Sequence, residues 1–303
     1  MMTTLYLLLN IALLPLLLVG VMRKVKALMQ TRIGAPILQP FYDVAKLLRK
    51  GETISETAGW VFVWAPRIGL ALTAMVAVLV PWTGWLPPAG WAGATNFLLV
   101  LYVLALSKFL GMLAAMDTGS AFGGLGASRE AMISLLVEPA LMIGLGALAV
   151  GAGSTDLAGI YGQPIHPLVA LLVGAALVMA ALAELSRMPV DDPTTHLELT
   201  MVHEAMILEN SGRNLALVEY AVALKACLFF GLAAHTLWHL WPGFLALEPG
   251  WRYLAGIGGL FGLGVAVAIA EGVLVKLNWR RVPHFLVIAL MLSLCAALVA
   301  VTR

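Results

Sequence analysis

The sequence predicts an all-α integral membrane protein: eight transmembrane helices, an amphipathic surface helix and an ordered polar loop-helix, in a single membrane domain over residues 1–303. Three observations carry the prediction. Of the 303 residues, 61% are hydrophobic and only 11% are charged, whereas a soluble domain carries about 25% charged residues. Eight apolar runs each approach the roughly 20 residues that cross a bilayer core. The lysines and arginines fall almost entirely on alternate loops, the signature of a fixed orientation in a membrane.

The runs lie near 3–22, 60–80, 96–116, 130–151, 165–183, 214–240, 253–275 and 283–301. The first has no small-residue cleavage site and reads as a retained span. After it comes QTRIGAPILQPFYDVAKLLRKGE, too short and too charged to cross. Phe41, Val44, Ala45 and Leu48 form one helical stripe there, with Asp43, Lys46 and Lys50 elsewhere on the wheel. Such a helix lies flat on a membrane surface. Trp82, Trp85, Trp91, Trp238 and Trp241 read as an aromatic belt at the opposite boundary. His235 and His239, one helical turn apart beside those tryptophans, read as interfacial anchors rather than metal ligands.

One set of loops holds Arg23, Lys24, Lys26, Arg32, Lys46, Arg49, Lys50, Arg67, Arg129, Arg187, Arg213, Lys276, Arg280 and Arg281, and the other only Arg252 and Arg303. The positive-inside rule makes the first set cytoplasmic, so eight spans place both termini outside.

Residues 184–213 form a polar island: Glu184, Asp191, Asp192, Glu198, Glu204 and Glu209, with Arg187, His196 and His203, and Glu219 just beyond. Polar groups gathered between spans mark function or docking. Pro189 and Pro193 stiffen a turn around the aspartates. Thr195 and Glu198 fit a capping box. Leu197, Met201, Ala205 and Leu208 continue as a helical stripe that Gly212 is suited to end.

Five charges fall inside the spans: Lys108, Glu138, Glu219, Lys225 and Glu271. Each costs about 2.5–3.5 kcal/mol at mid-membrane and must face protein or water. At about 1.5 Å per residue, Lys108 and Glu138 reach similar depths and read as partners across adjacent spans. A line of titratable groups from an acidic loop into the bilayer suits a proton path.

Other chemistry is poorly supplied. The two cysteines, Cys227 and Cys295, sit in apolar runs without a CxxC, and a cluster normally takes four. The histidines stand at loops or span ends, not paired at mid-membrane as a haem requires. His203 and Glu204 do not open a zinc motif, because Ile207 occupies the second histidine's place. A stand-alone ion transporter is a further alternative, for which inverted repeats are not evident.

Three stretches form a family pattern: Arg32, Gly34, Gln39, Pro40, Asp43 and Lys46; GLGASR at 124–129 followed by Glu138 and Pro139; and Glu184, Arg187, Pro189, Val190, Asp191 and Glu198, then Glu209 to Gly212. Along essentially its whole length the chain resembles the membrane subunit that forms the quinone chamber of respiratory complex I. It is more similar to the counterpart in formate hydrogenlyase and other energy-converting NiFe hydrogenases, for which PTTHLELTMVHEAMILE is a specific string. It departs from complex I proper at Thr194 and His196, where that branch has glutamates, and at Ala35, which separates Gly34 from Pro36. Quinone binding therefore stays open.

The resemblance implies a non-catalytic, membrane-anchoring subunit in the cytoplasmic (inner) membrane. It would dock a soluble hydrogenase-like module and link its electron transfer to proton or sodium translocation. Arg32, Asp43, Arg187, Asp191, His196, Glu198 and His203 would shape the docking and redox-coupling loop. Lys108, Glu138, Glu219, Lys225 and Glu271 would relay charge through the membrane. The NiFe centre and the iron–sulfur clusters (4Fe-4S) would reside in partner subunits, and this chain alone would bind no cofactor or metal. The expected partners are hydrogenase-like large and small subunits, iron–sulfur subunits and antiporter-like membrane subunits. A quinone-site subunit of an NADH or ferredoxin dehydrogenase is the alternative.

Overall fold

The computed structural model describes residues 2–85, 93–191 and 201–302. The helices are α1 (Met2–Met29), α2 (Gln39–Arg49), α3 (Trp60–Leu79), α4 (Phe97–Asp117), α5 (Ala121–Ala152), α6 (Leu157–Tyr161), α7 (Pro167–Glu184), α8 (His203–Ile207), α9 (Gly212–Trp238), α10 (Pro249–Val273) and α11 (Val282–Val301). There is no β-strand among the described residues. Seven described helices are long and apolar enough to cross a membrane: α3, α4, α5, α7, α9, α10 and α11 with its leading 3-10 turn.

Local chemistry explains the boundaries. The Asn96 side chain caps α4 by accepting from the Leu98 amide at 2.9 Å, satisfying one of the donors a helix start leaves unpaired. Prolines in the first turn open α2, α7, α10 and α11, where their missing N–H costs nothing. Gly153 ends α5 in the left-handed region at φ 60°, which suits a residue without a Cβ.

The bundle is built around α9, which packs on α1, α2, α3, α7 and α10. More than half of its apolar window is buried, against 22% for peripheral α11. Leu224, Cys227 and Phe230 of α9 belong to the same buried core as Leu18, Leu177 and Leu260. Gly231 makes one such approach possible: a Cβ there would stand 2.3 Å from the Trp82 carbonyl oxygen. Pro15 inside α1 has no N–H and leaves the carbonyl of Ile11 without its helical donor. The Tyr220 hydroxyl of α9 donates to that carbonyl at 2.5 Å.

Several expectations shift. The inward face of α2 is Pro40, Val44 and Leu47, while Ala45 and Leu48 are exposed. Trp82 is buried, its ring nitrogen donating to the Ala77 carbonyl at 2.8 Å, so it is a core residue rather than a belt residue. Trp241 is half-exposed, and Trp91 lies outside the described residues. His235 and His239 are buried among aromatic rings rather than exposed as anchors: His235 stacks on Tyr161 and both meet the edge of Phe244. Of the expected loop-helix, the described residues contain α8, His203–Ile207, with Met201 outside it, while Leu197 lies outside the described residues. The capping box of Thr195 and Glu198 lies outside the described residues. Gly212 does adopt a left-handed conformation at φ 51°, but it opens α9 rather than closing α8. There it lets the chain approach residue 51, whose carbonyl oxygen would be 2.4 Å from an added Cβ.

Candidate functional site

Four helices bring four charged side chains together inside the bundle. Lys108 of α4 lies 2.5 Å from Glu184 at the end of α7 and 2.9 Å from Glu130 of α5. Lys225 of α9 reaches the other Glu184 oxygen at 3.4 Å. The Lys108, Glu130 and Glu184 side chains are no more than 5% exposed. Two carboxylates thus balance two ammonium groups. Such a cluster survives burial because every member is paired, since mutual attraction must offset a desolvation penalty of several kcal/mol per ion. The second Glu130 oxygen is buried with no hydrogen-bond partner among the described residues.

This overturns the expected pairing of Lys108 with Glu138. The helix of Glu138 starts at Ala121, nine residues before the predicted 130. At about 1.5 Å per residue that displaces the depth scale by roughly 14 Å. Glu130 therefore falls level with Lys108, and Glu138 lies two turns beyond. Glu138 is half-buried, in a crevice between α4 and α5 whose walls include Tyr102 and Glu184. It forms no ion pair within 4.0 Å among the described residues.

A second group of charges stands at the end of the bundle. Glu271 of α10, its side chain 2% exposed, meets Arg187 at 3.3 Å and Lys26 at 3.6 Å. Asp191 meets Lys276 at 2.5 Å and accepts from the Val202 amide at 3.0 Å. Asp43 accepts from Gln39 at 2.9 Å and pairs with Arg23 at 3.4 Å. The turn after α7 is thereby fixed to α10 and to the segment that follows it.

Two cavities join these groups. One, of about 340 Å³, lies between α1, α2 and α9; its lining mixes apolar Leu16, Val19 and Met22 with charged Lys26, Asp43, Arg187, Glu219 and Glu271. The other, of about 110 Å³, has Lys108, Glu130, Glu184 and Lys225 in its walls. Leu185, His203, Val218 and Val222 line both. His203 therefore stands at the partition between the two charge groups.

Of the residues singled out in the sequence, Asp43, Arg187, Asp191, His203, Glu219 and Glu271 meet around the larger cavity, and Lys108 and Lys225 border the smaller one. Glu219 has no ion pair within 4.0 Å among the described residues. Arg32 is exposed on the loop between α1 and α2 and lines neither cavity. His196 and Glu198 lie outside the described residues. Glu130, Lys26 and Lys276 were not singled out for these roles, and Glu184 emerges as the centre of the buried cluster rather than part of a surface loop. The usable signal for Glu130 was the absence of proline between Ala121 and Glu138, against which the three glycines in that stretch weighed. Among the described residues no three His, Cys, Asp or Glu side chains gather as a metal site. Cys227 is buried and Cys295 is exposed, a donor set that does not fit an iron–sulfur cluster.

A family model described as NADH dehydrogenase matches residues 2–302. Formate hydrogenlyase subunit 4 of Escherichia coli (strain K12) is 33% identical over 217 residues, 69% of this chain and 68% of that protein. Hydrogenase-4 component C of the same organism is 33% identical over 213 residues, 68% of this chain and 65% of that protein. An NADH-quinone oxidoreductase subunit of Anaplasma phagocytophilum (strain HZ) is 32% identical over 257 residues, 74% of this chain and 75% of that protein. In the solved structures, a chain of the membrane-bound sulfane sulfur reductase, an archaeal respiratory membrane complex, superposes with a TM-score of 0.76. The match covers 99% of this chain and 100% of that one at 20% identity, a likeness of fold.

Proposed function

The chain belongs to the NADH dehydrogenase family, and from that premise we propose that it anchors and couples a hydrogenase-type respiratory complex in the inner membrane. The soluble module, carrying the NiFe centre and iron–sulfur clusters, docks where the turn after α7 meets α2 and α10. Antiporter-like membrane subunits lie beside the bundle and move protons or sodium. The 28-residue α1 is the eighth span, and both termini face outward.

The observation that carries this reading is the series of buried ion pairs. Glu271 with Arg187, then His203, then Glu184 with Lys108 and Lys225, then Glu138 lead from the bundle's charged end into its middle. Redox change in a docked module shifts the charge beside Arg187 and Glu271. Paired groups in a medium of low dielectric respond to such a shift over longer distances than groups in water. A proton gained or lost at the first cavity then alters the balance of carboxylates and ammonium groups at the second. Glu138, with no ion-pair partner among the described residues, ends the series.

The expected result of Glu138→Gln is an assembled complex with parental hydrogenase turnover and a several-fold fall in ions moved per electron. The measurement is ion uptake by proteoliposomes against hydrogen evolved. A fully assembled variant that translocates like its parent removes Glu138 from the relay. A quinone-reducing role is the second reading, favoured by the larger cavity, whose volume and mixed apolar and charged lining suit an amphipathic carrier. Quinol formation followed in the same proteoliposomes separates the two readings, and its absence counts against the second.

A further inference from the structure

Helices α10 and α11 follow one another in the chain yet pack on different neighbours, α10 on α1 and α9, α11 on α5 and α7. The bridge between them, residues 274–281, is pinned at its middle. The Leu277 amide donates to the Pro189 carbonyl at 2.9 Å, and Lys276 meets Asp191 at 2.5 Å. On either side of that pin the chain is open. Val273, Leu274 and Val275 are 70%, 45% and 83% exposed. Arg280 and Arg281 are exposed too, and neither has a carboxylate within 4.0 Å among the described residues.

Helix length sets the depth of these groups. The 20 residues of α11 rise about 30 Å, the thickness of the hydrocarbon core. The turn Trp279–Arg281, immediately before α11, then lies at the level of the headgroup phosphates. Below it the exposed large side chains of both helices are apolar, among them Ile269 of α10 and Val287, Ile288 and Met291 of α11.

We infer that the splay between α10 and α11 is a binding site for one anionic phospholipid, its phosphate held by Arg280 and Arg281. The guanidinium fork matches phosphate oxygens in pairs. Val273, Leu274 and Val275 cover the upper methylenes of an acyl chain, which lies along the two helices. A carboxylate of a neighbouring subunit matches the guanidinium groups but leaves the apolar strip and the splay beneath it uncovered, which is why a lipid is favoured. The inference does not depend on how electron transfer is coupled to ion movement, but it requires that the module docked at the turn after α7 leave the α10–α11 bridge facing lipid.

The test uses the whole complex, purified in detergent and depleted of lipid. Phosphatidylglycerol is expected to raise its thermal midpoint by several degrees, and phosphatidylcholine or inorganic phosphate to leave it unchanged. The double variant Arg280→Gln with Arg281→Gln is expected to bind phosphatidylglycerol at least about tenfold more weakly, the weight of one lost charge-assisted hydrogen bond. Arg213→Gln, at an exposed arginine on α9, should bind it like the parent. If the glutamine pair does not assemble, the lysine pair keeps the charge without the fork and should still bind measurably more weakly. Undiminished affinity in whichever pair assembles overturns the site. An equal response to phosphatidylcholine, or to inorganic phosphate alone, overturns the lipid assignment.

Discussion

Glu184 answers two ammonium groups with one carboxylate, and that sharing makes the cluster sensitive to single replacements. Lys108→Met leaves Glu130 with no ion-pair partner among the described residues and Glu184 with Lys225 alone. Removing one member of a buried pair costs about 3–5 kcal/mol, because the remaining charge stays desolvated. Adding Glu130→Gln should return part of that loss, since the stranded charge goes too. Thermal midpoints of the parent, both single variants and the double complete the cycle, with a coupling of about 0.5–3 kcal/mol expected for groups in contact. Strictly additive effects would show that Lys108 and Glu130 do not interact in the folded protein. Which side chain pairs with Lys108 was not legible in the sequence. It depends on the register of α5 against α4, and small residues such as Gly123 and Gly126 resemble loop composition while serving close packing. A Cβ on Gly126 would fall 2.8 Å from the Val202 carbonyl oxygen, and one on Gly123 2.3 Å from that of Ala115.

At the scale of helices, the spans were readable within a few residues at most boundaries, because a long apolar run and its flanking prolines speak locally. The start of α5 was not, for it is fixed by contact with α8. Helix α1 shows how one element completes another. Pro15 removes a donor, and Tyr220 on α9 supplies its replacement to the Ile11 carbonyl at 2.5 Å. Leu16, Val19 and Met22, which wall the larger cavity, all follow that break in α1. Tyr220→Phe keeps the ring and removes the hydroxyl that donates to the carbonyl, a cost of about 1–3 kcal/mol for a part-buried group that loses a donor. The expected outcome is a lower thermal midpoint for the complex, together with faster labelling of a cysteine placed at Val19 as the α1 wall loosens. An unchanged midpoint and labelling rate would mean that water replaces the hydroxyl without loss.

Across the whole molecule, the alternation of long apolar runs with charged segments was the most legible property, and the pairing of distant helices the least. Nothing periodic in the sequence says that α5 lies against α11, or that α3 lies against α9. Helix polarity nevertheless puts Arg23, Arg187, Arg213 and Arg280 toward one end of the bundle, in the last third of α1, just after α7, in the first turn of α9 and just before α11, with Arg252 in the first turn of α10 at the other. That end also holds the larger cavity and the Glu271 and Asp191 ion pairs. Lysine and arginine in short loops resist translocation, so this end should face the cytoplasm, where a soluble module can reach it. If α1 is the eighth span, as proposed above, both chain termini should emerge on the far side. Alkaline phosphatase, active only outside the cytoplasm, should be active when fused after residue 302 and inactive when fused after Lys50. A fluorescent protein that matures only in the cytoplasm should show the reverse. Activity of the phosphatase after Lys50 would turn the charged cavities away from any cytoplasmic partner, and the coupling proposal would fall with the orientation.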